Sequence, residues 1–219
     1  MICDDALRQQ IQNHLQQFQV RSNNDASLRR AAVALVVTDV GPGADLPGFV
    51  QTDHWSSEAA LILTRRSAAL RHHPGQWALP GGRVDPGETY TQTALREMHE
   101  EVGVNLSEAR VLGVLDDFMT RSGFAMTPVV VWGGARLMAS PNPDEVASIH
   151  RIPLREFLRD DAPLLDKAAT SEHPILRMPV GEDYIAAPTA ALLYQFAQVC
   201  LVGREIRVAH FEQPEFAWR

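Results

Sequence analysis

The chain has 219 residues, 45% of them apolar and 21% charged, and a formal net charge of −7. That length and composition suit one sizeable core with extensions better than two domains. The acidic balance argues against a general nucleic-acid binder, which grips the phosphate backbone with clustered positive charge.

From the N-terminus, "MICDDALRQQ" carries two aspartates where a signal or transit peptide has basic residues, and no apolar stretch follows. The chain is therefore expected to stay in the cytoplasm. Leu7, Ile11, Leu15 and Phe18 recur at helical spacing and predict an amphipathic helix over residues 4–20, packed on the domain or on a partner subunit. We take residues 1–28 as an N-terminal helical extension and 29–219 as the main domain. "AAVALVV" (31–37) and "AALILTRR" (59–66) are short, aliphatic and bounded by polar or breaker-rich segments, as strands are. The first is the longest apolar run with the look of structure, far short of the roughly 20 residues of a membrane helix. Between them lies a loop rich in Gly and Pro. Further strands are expected over 109–118 and 124–137, then a turn, a short strand and a short helix over 141–158. A buried helix is expected from Pro188 to Gly203. Cys3 and Cys200 have no metal-type spacing and read as free thiols. Strands and helices in mixed order, without a βαβ repeat, point to an α/β sandwich.

The chemistry concentrates in "LPGGRVDPGETYTQTALREMHEEVGV" (79–104). Thr89 and Gln92 form a capping-box pattern, so a helix is expected from about Thr89 to Val102, with Gly103 as its left-handed stop. At about 100° per residue, Ala94, Leu95, Met98 and Val102 share one side, while Glu97, Glu100 and Glu101 share another arc. Carboxylates three and four residues apart repel. A solvated acidic face is the plain explanation. A hard divalent cation, which takes carboxylates, water and phosphate oxygens, is the functional one. The glycines upstream favour the second, because a chain without Cβ can approach a ligand closely.

Gly82, five residues, Glu88, seven residues, then "REMHEEVGV" from Arg96 to Val104 resembles the complete Nudix box. The resemblance implies an αβα sandwich around a mixed β-sheet and Mg²⁺- or Mn²⁺-dependent hydrolysis of a nucleoside diphosphate linked to another moiety. It implies that Glu97, Glu100 and Glu101 hold metal, with the main chain at Gly82 as a further ligand. It also implies that Arg96 is held by an ion pair with Glu88.

Upstream, "ILTRRSAALRHHPGQWALPGG" (62–82) is similar to the segment that marks Nudix enzymes acting on coenzyme A. Leu63, Thr64, Arg66, Ser67, Arg71, Gly75, Pro80, Gly81 and Gly82 match; Ile62 replaces a leucine and Leu79 a phenylalanine. Of the 20 basic residues only Lys167 is lysine. A GC-rich genome explains that bias, but arginine's planar fork also suits phosphate. Arg65, Arg66 and Arg71 therefore form an expected collar for a phosphate-rich substrate, beside the Gly81–Gly82 main chain. His72 and His73 read as solvated loop. Glu97 is one candidate general base, and Asp144 or Glu145 in "NPDEV" supplies another. The expected products are 3′,5′-ADP and 4′-phosphopantetheine or its acyl derivative. Two alternatives stay open: a Nudix enzyme for ADP-ribose, NADH or a nucleoside triphosphate, and a non-catalytic nucleotide-binding module. The apolar last helix and the tail "FEQPEFAWR" suggest a homodimer.

Overall fold

A computed structural model describes residues 1–23, 25–49, 53–168 and 171–217; Trp218 and Arg219, at the end of the aromatic tail, lie outside them. The centre of the molecule is β1 (Arg29–Asp39), whose aliphatic run is buried on both faces. Its neighbours are β2 (Ala59–Arg66), antiparallel, and β7 (Phe124–Gly134), parallel. The order β3 (Trp77–Ala78), β2, β1, β7, β5 (Val111–Val114) makes the sheet mixed. Three more strands attach to this path: β4 (Gly81–Arg83) on β1, β6 (Phe118–Met119) on β7 and β8 (Val146–Pro153) on β2.

Successive side chains of β1 point to opposite faces, and each set has its own cover. Ala32, Ala34 and Val36 pack with Ala94, Met98 and Val102 of α2 (Tyr90–Val102). Val33, Leu35 and Val37 pack in a larger core with α1 (Asp5–Gln17) and α3 (Thr189–Phe196). The result is the αβα sandwich expected from the sequence. The α1 stripe of Leu7, Ile11 and Leu15, with Phe18 beyond it, is buried within the chain. So are Ala190 to Leu193 and Phe196 of α3. The apolar last helix is thus covered by its own molecule. After Phe196 it continues as a π-helical turn, Ala197–Val202, before Gly203 closes it in the left-handed conformation.

Two features depart from the sequence-based expectation. The segment 109–118 is a 3₁₀ turn and a four-residue strand, and its Asp116 and Asp117 are buried. A second sheet of β9 (Leu164–Asp166), β10 (Ile175–Val180) and β11 (Asp183–Ala186) fills a region where no element was expected. No helix among the described residues is long and apolar enough to cross a membrane.

Candidate active site

The capping box that starts α2 is complete: Thr89 Oγ1 accepts from the Gln92 N–H at 3.2 Å, and Gln92 Oε1 accepts from the Thr89 N–H at 3.0 Å. Gly103, at φ 68°, ends the helix. Between these stops Arg96 uses all five of its N–H donors. Its Nε and Nη2 bind the Glu88 carboxylate at 2.8 and 3.0 Å. Nη1 reaches Glu97 at 2.8 Å and Glu100 at 3.0 Å, and Nη2 also meets the Arg83 carbonyl at 3.1 Å. Arg96 therefore fixes the chain before the helix to the helix itself. Its hydrogen bonds hold the Glu88 carboxyl down at about 2, and Thr93 Oγ1 donates to the same group at 2.7 Å.

The three helix glutamates separate. Glu100 is exposed and turned to Arg96. Glu97 is half-buried and Glu101 is buried, and with Glu145 they bring one carboxylate oxygen each within 4.8 Å of one another. Glu145 arrives from the segment before β8. That segment is tied to the site by backbone bonds from the Asn142 N–H to the Glu101 carbonyl at 2.9 Å and from the Ser67 N–H to the Glu145 carbonyl at 2.8 Å. Asp144 is exposed and is not one of the three. Burial pushes the Glu101 carboxyl up to about 8, and burial also raises Glu97. A set of oxygen donors that are costly to ionise when alone is what a hard divalent cation relieves, and the donors fit one.

The expected glycine loop is in fact a strand. Gly81 and Gly82 lie opposite Val33 and Ala32 of β1. A Cβ on Gly81 would overlap the Ala32 carbonyl oxygen, and one on Gly82 would overlap the Glu97 carboxylate. The Gly81 N–H donates to Glu101 Oε2 at 3.1 Å. The glycines thus admit the helix carboxylates against the sheet.

A cleft of about 290 Å³ opens beside this cluster, lined by Arg66, Gly82, Arg83, Trp77, Phe124 and Met126, among others. No aspartate or glutamate lines it among the described residues, although the chain has 27 of them. Of the expected arginine collar, Arg66 lines the cleft, and its buried Nε has no hydrogen-bond partner among the described residues. Arg65 instead pairs with Asp183 and lies 3.9 Å from the centre of the Trp77 ring. Arg71 is exposed, outside the cleft lining. His73 was expected in solvent but lines the cleft, and burial together with the Arg66 charge lowers its imidazole pKa. Leu79 is buried in the core and is not itself in the lining, although its neighbours Trp77 and Ala78 are. Arg83 and Phe124 were not anticipated: Arg83 occupies an unrestricted place in the motif, and Phe124 reaches the cleft only through strand pairing.

A family profile described as NUDIX domain matches residues 51–175, more than half of the chain. A Nudix hydrolase of Pectobacterium atrosepticum, NudL, is 40% identical over 140 residues, covering 63% of this chain and 73% of that protein. Its Yersinia enterocolitica namesake is 46% identical over 103 residues, 47% of this chain and 53% of that one. Nudix hydrolase 3 of Caenorhabditis elegans is 41% identical over 104 residues, 46% of this chain and 43% of that one. The chain thus spans about half the length of the Yersinia protein and less than half of the nematode one. With the profile match extending over most of the sheet and the whole carboxylate helix, this protein belongs to the Nudix hydrolase family.

Proposed function

We propose that the chain hydrolyses the phosphoanhydride of coenzyme A or an acyl-CoA, giving 3′,5′-ADP and 4′-phosphopantetheine or its acyl derivative. The observation that carries this reading is the convergence of Glu97, Glu101 and Glu145 beside a cleft that contains Arg66 and, among the described residues, no aspartate or glutamate. Glu97 and Glu101 would hold Mg²⁺ or Mn²⁺, with Glu145 the third carboxylate beside them. Such a cation supplies Lewis acidity, neutralising charge on the bridging phosphates and making water a stronger nucleophile. Arg96 keeps Glu97 oriented and holds Glu100 and Glu88 in an ion-pair network around the helix. Arg66 meets the phosphate charge at the mouth of the cluster. In the reaction, the water oxygen forms a bond to one phosphorus and the bridging oxygen leaves with the other half. Glu145, which comes from outside the helix, takes the water proton. The pattern from Leu63 to Gly82 supports coenzyme A over other nucleoside diphosphates. Leu79, where the coenzyme A pattern has a phenylalanine, is packed in the core next to Ala78 of the cleft lining.

The test is a substrate panel with Mg²⁺, with Mn²⁺ and with chelator, scored by product chromatography. Coenzyme A is expected to be cleaved fastest, and chelation to abolish turnover. Faster cleavage of ADP-ribose or NADH would move the substrate assignment, and full activity in chelator would remove the metal.

A further inference from the structure

Strand pairing places a specific set of side chains on one wall of the cleft. Across the sheet, Arg83 of β4 lies opposite Ala31 of β1, and Ala31 lies opposite Met126 of β7. Two residues back along β1, Arg29 lies opposite Phe124. Residues two apart on a strand share a face, so Arg83, Ala31, Met126, Arg29 and Phe124 point the same way. Ala31 is the small residue in this group, lying between Arg83 and Met126 in the pairing, and all but Arg29 line the cleft.

The cations in this wall have different duties. Arg29 stacks on Phe124 at 4.0 Å from the ring centre and donates to the Ser122 carbonyl, which pins the ring. Arg66 lines the cleft next to Ser67, whose N–H donates to the Glu145 carbonyl, and so belongs to the carboxylate end of the cleft. Arg83 uses its main-chain carbonyl to hold Arg96, while its guanidinium is 5.5 Å from the Phe124 ring centre and has no carboxylate partner among the described residues. In a chain of net charge −7, this leaves an arginine beside a flat ring, one strand step from the carboxylate cluster.

We infer that Arg83 and Phe124 form a nucleotide subsite in which the ring takes the face of the base and the Arg83 guanidinium takes a phosphate monoester on the ribose. The inference rests on the coenzyme A reading for its substrate, whose ribose carries a 3′-phosphate. It makes Arg83 a specificity-determining residue separate from the metal cluster. A charge-assisted phosphate contact is worth about tenfold to a hundredfold in affinity, and stacking of a base on an aromatic ring contributes on a similar scale.

The experiment is calorimetric binding, in chelator, of adenosine 3′,5′-bisphosphate and adenosine 5′-monophosphate to the full chain. Wild type is expected to prefer the bisphosphate by about tenfold or more. Arg83→Ala should collapse that preference, and Arg83→Lys should restore part of it. Phe124→Leu should weaken both nucleotides without changing their ratio. Arg204→Ala, on an exposed segment after the last helix, should behave as wild type, and melting curves confirm that each variant is folded. An unchanged preference in Arg83→Ala, or no preference in wild type, overturns the inference. The two readings fail separately. If wild type cleaves coenzyme A and Arg83→Ala keeps the preference, the subsite is wrong and the activity stands. If the preference depends on Arg83 but coenzyme A is not cleaved, the subsite stands and the substrate of the reaction is different.

Discussion

Among the described residues the Glu101 carboxylate accepts one hydrogen bond, from the Gly81 N–H, and is otherwise enclosed beside two further carboxylates. Its carboxyl is raised from 4.5 to about 8, so the ionised form is the one folding disfavours. For a carboxylate raised in this way, the stability it contributes is complete below about pH 4.5 and is lost as pH rises through 8. In chelator, the melting temperature should therefore fall by several degrees across that window. Glu101→Gln should flatten the slope, and millimolar Mg²⁺ or Mn²⁺ should reverse it in wild type, since a ligand of the folded state stabilises it. The same variant should lose about a hundredfold or more in kcat. A flat wild-type melting profile would count against the buried, cation-free carboxylate. The sequence placed the helix glutamates on one arc, but their division needs finer geometry. Four residues advance about 400° and three about 300°, so Glu101 lies to one side of Glu97 and Glu100 to the other. The first turns under the sheet and the second out to Arg96. Glu145 was legible only as an acidic candidate, because the pairing of β8 with β2 that brings it in is a long-range contact.

At the scale of elements, β4 and α2 fit together through two adjacent glycines with different neighbours. A methyl at Gly81 meets the main chain of β1, which has no room to yield. Gly81→Ala should cost about 1 to 3 kcal/mol of stability by overpacking, read by chemical denaturation. A methyl at Gly82 meets the end of the Glu97 side chain, which is able to swing away. Gly82→Ala should therefore fold with near-normal stability but lose about a hundredfold in kcat/KM, because a displaced ligand is a misplaced catalytic group. Equal stability losses in the two variants would contradict this division. The helix was readable in detail because its capping box and left-handed glycine are local signals. The glycine segment read as a loop because a three-residue strand has too little periodicity to register.

At the scale of the whole molecule, Asp116 gathers the chain's distant parts. It accepts from the Arg21 N–H at 2.7 Å, from Gln195 of α3 at 3.0 Å and from Arg207 at 2.9 Å to both oxygens. Asp117 holds the Asn23 N–H and Thr127 in the same way. Removing one partner from a buried ionic network leaves the others unpaired, so Asp116→Ala should cost about 3 to 5 kcal/mol. The folded fraction should keep wild-type turnover, since Asp116 is not among the residues of the cleft or the carboxylate cluster. Undiminished stability would show that α1 and the C-terminal segment are held without Asp116, by apolar packing and by the bonds from Gln10 and His14 to the Leu201 and Cys200 carbonyls. The central strands were legible because a doubly covered sheet demands unbroken aliphatic runs. The β9 to β11 sheet was not, since its strands have three, six and four residues, with Pro179 inside the longest.

Two of the backbone bonds around the carboxylates join segments far apart in sequence: the Ser67 amide to Glu145 and the Asn142 amide to Glu101. Strand β2's end, the α2 helix and the segment entering β8 are thereby laced into a single mechanical unit, so none can fray without loosening the next. In amide hydrogen exchange, the protons of Ser67 and Asn142 should leave with one common opening free energy. Divalent cations should slow both by the same factor, although neither amide belongs to a carboxylate ligand.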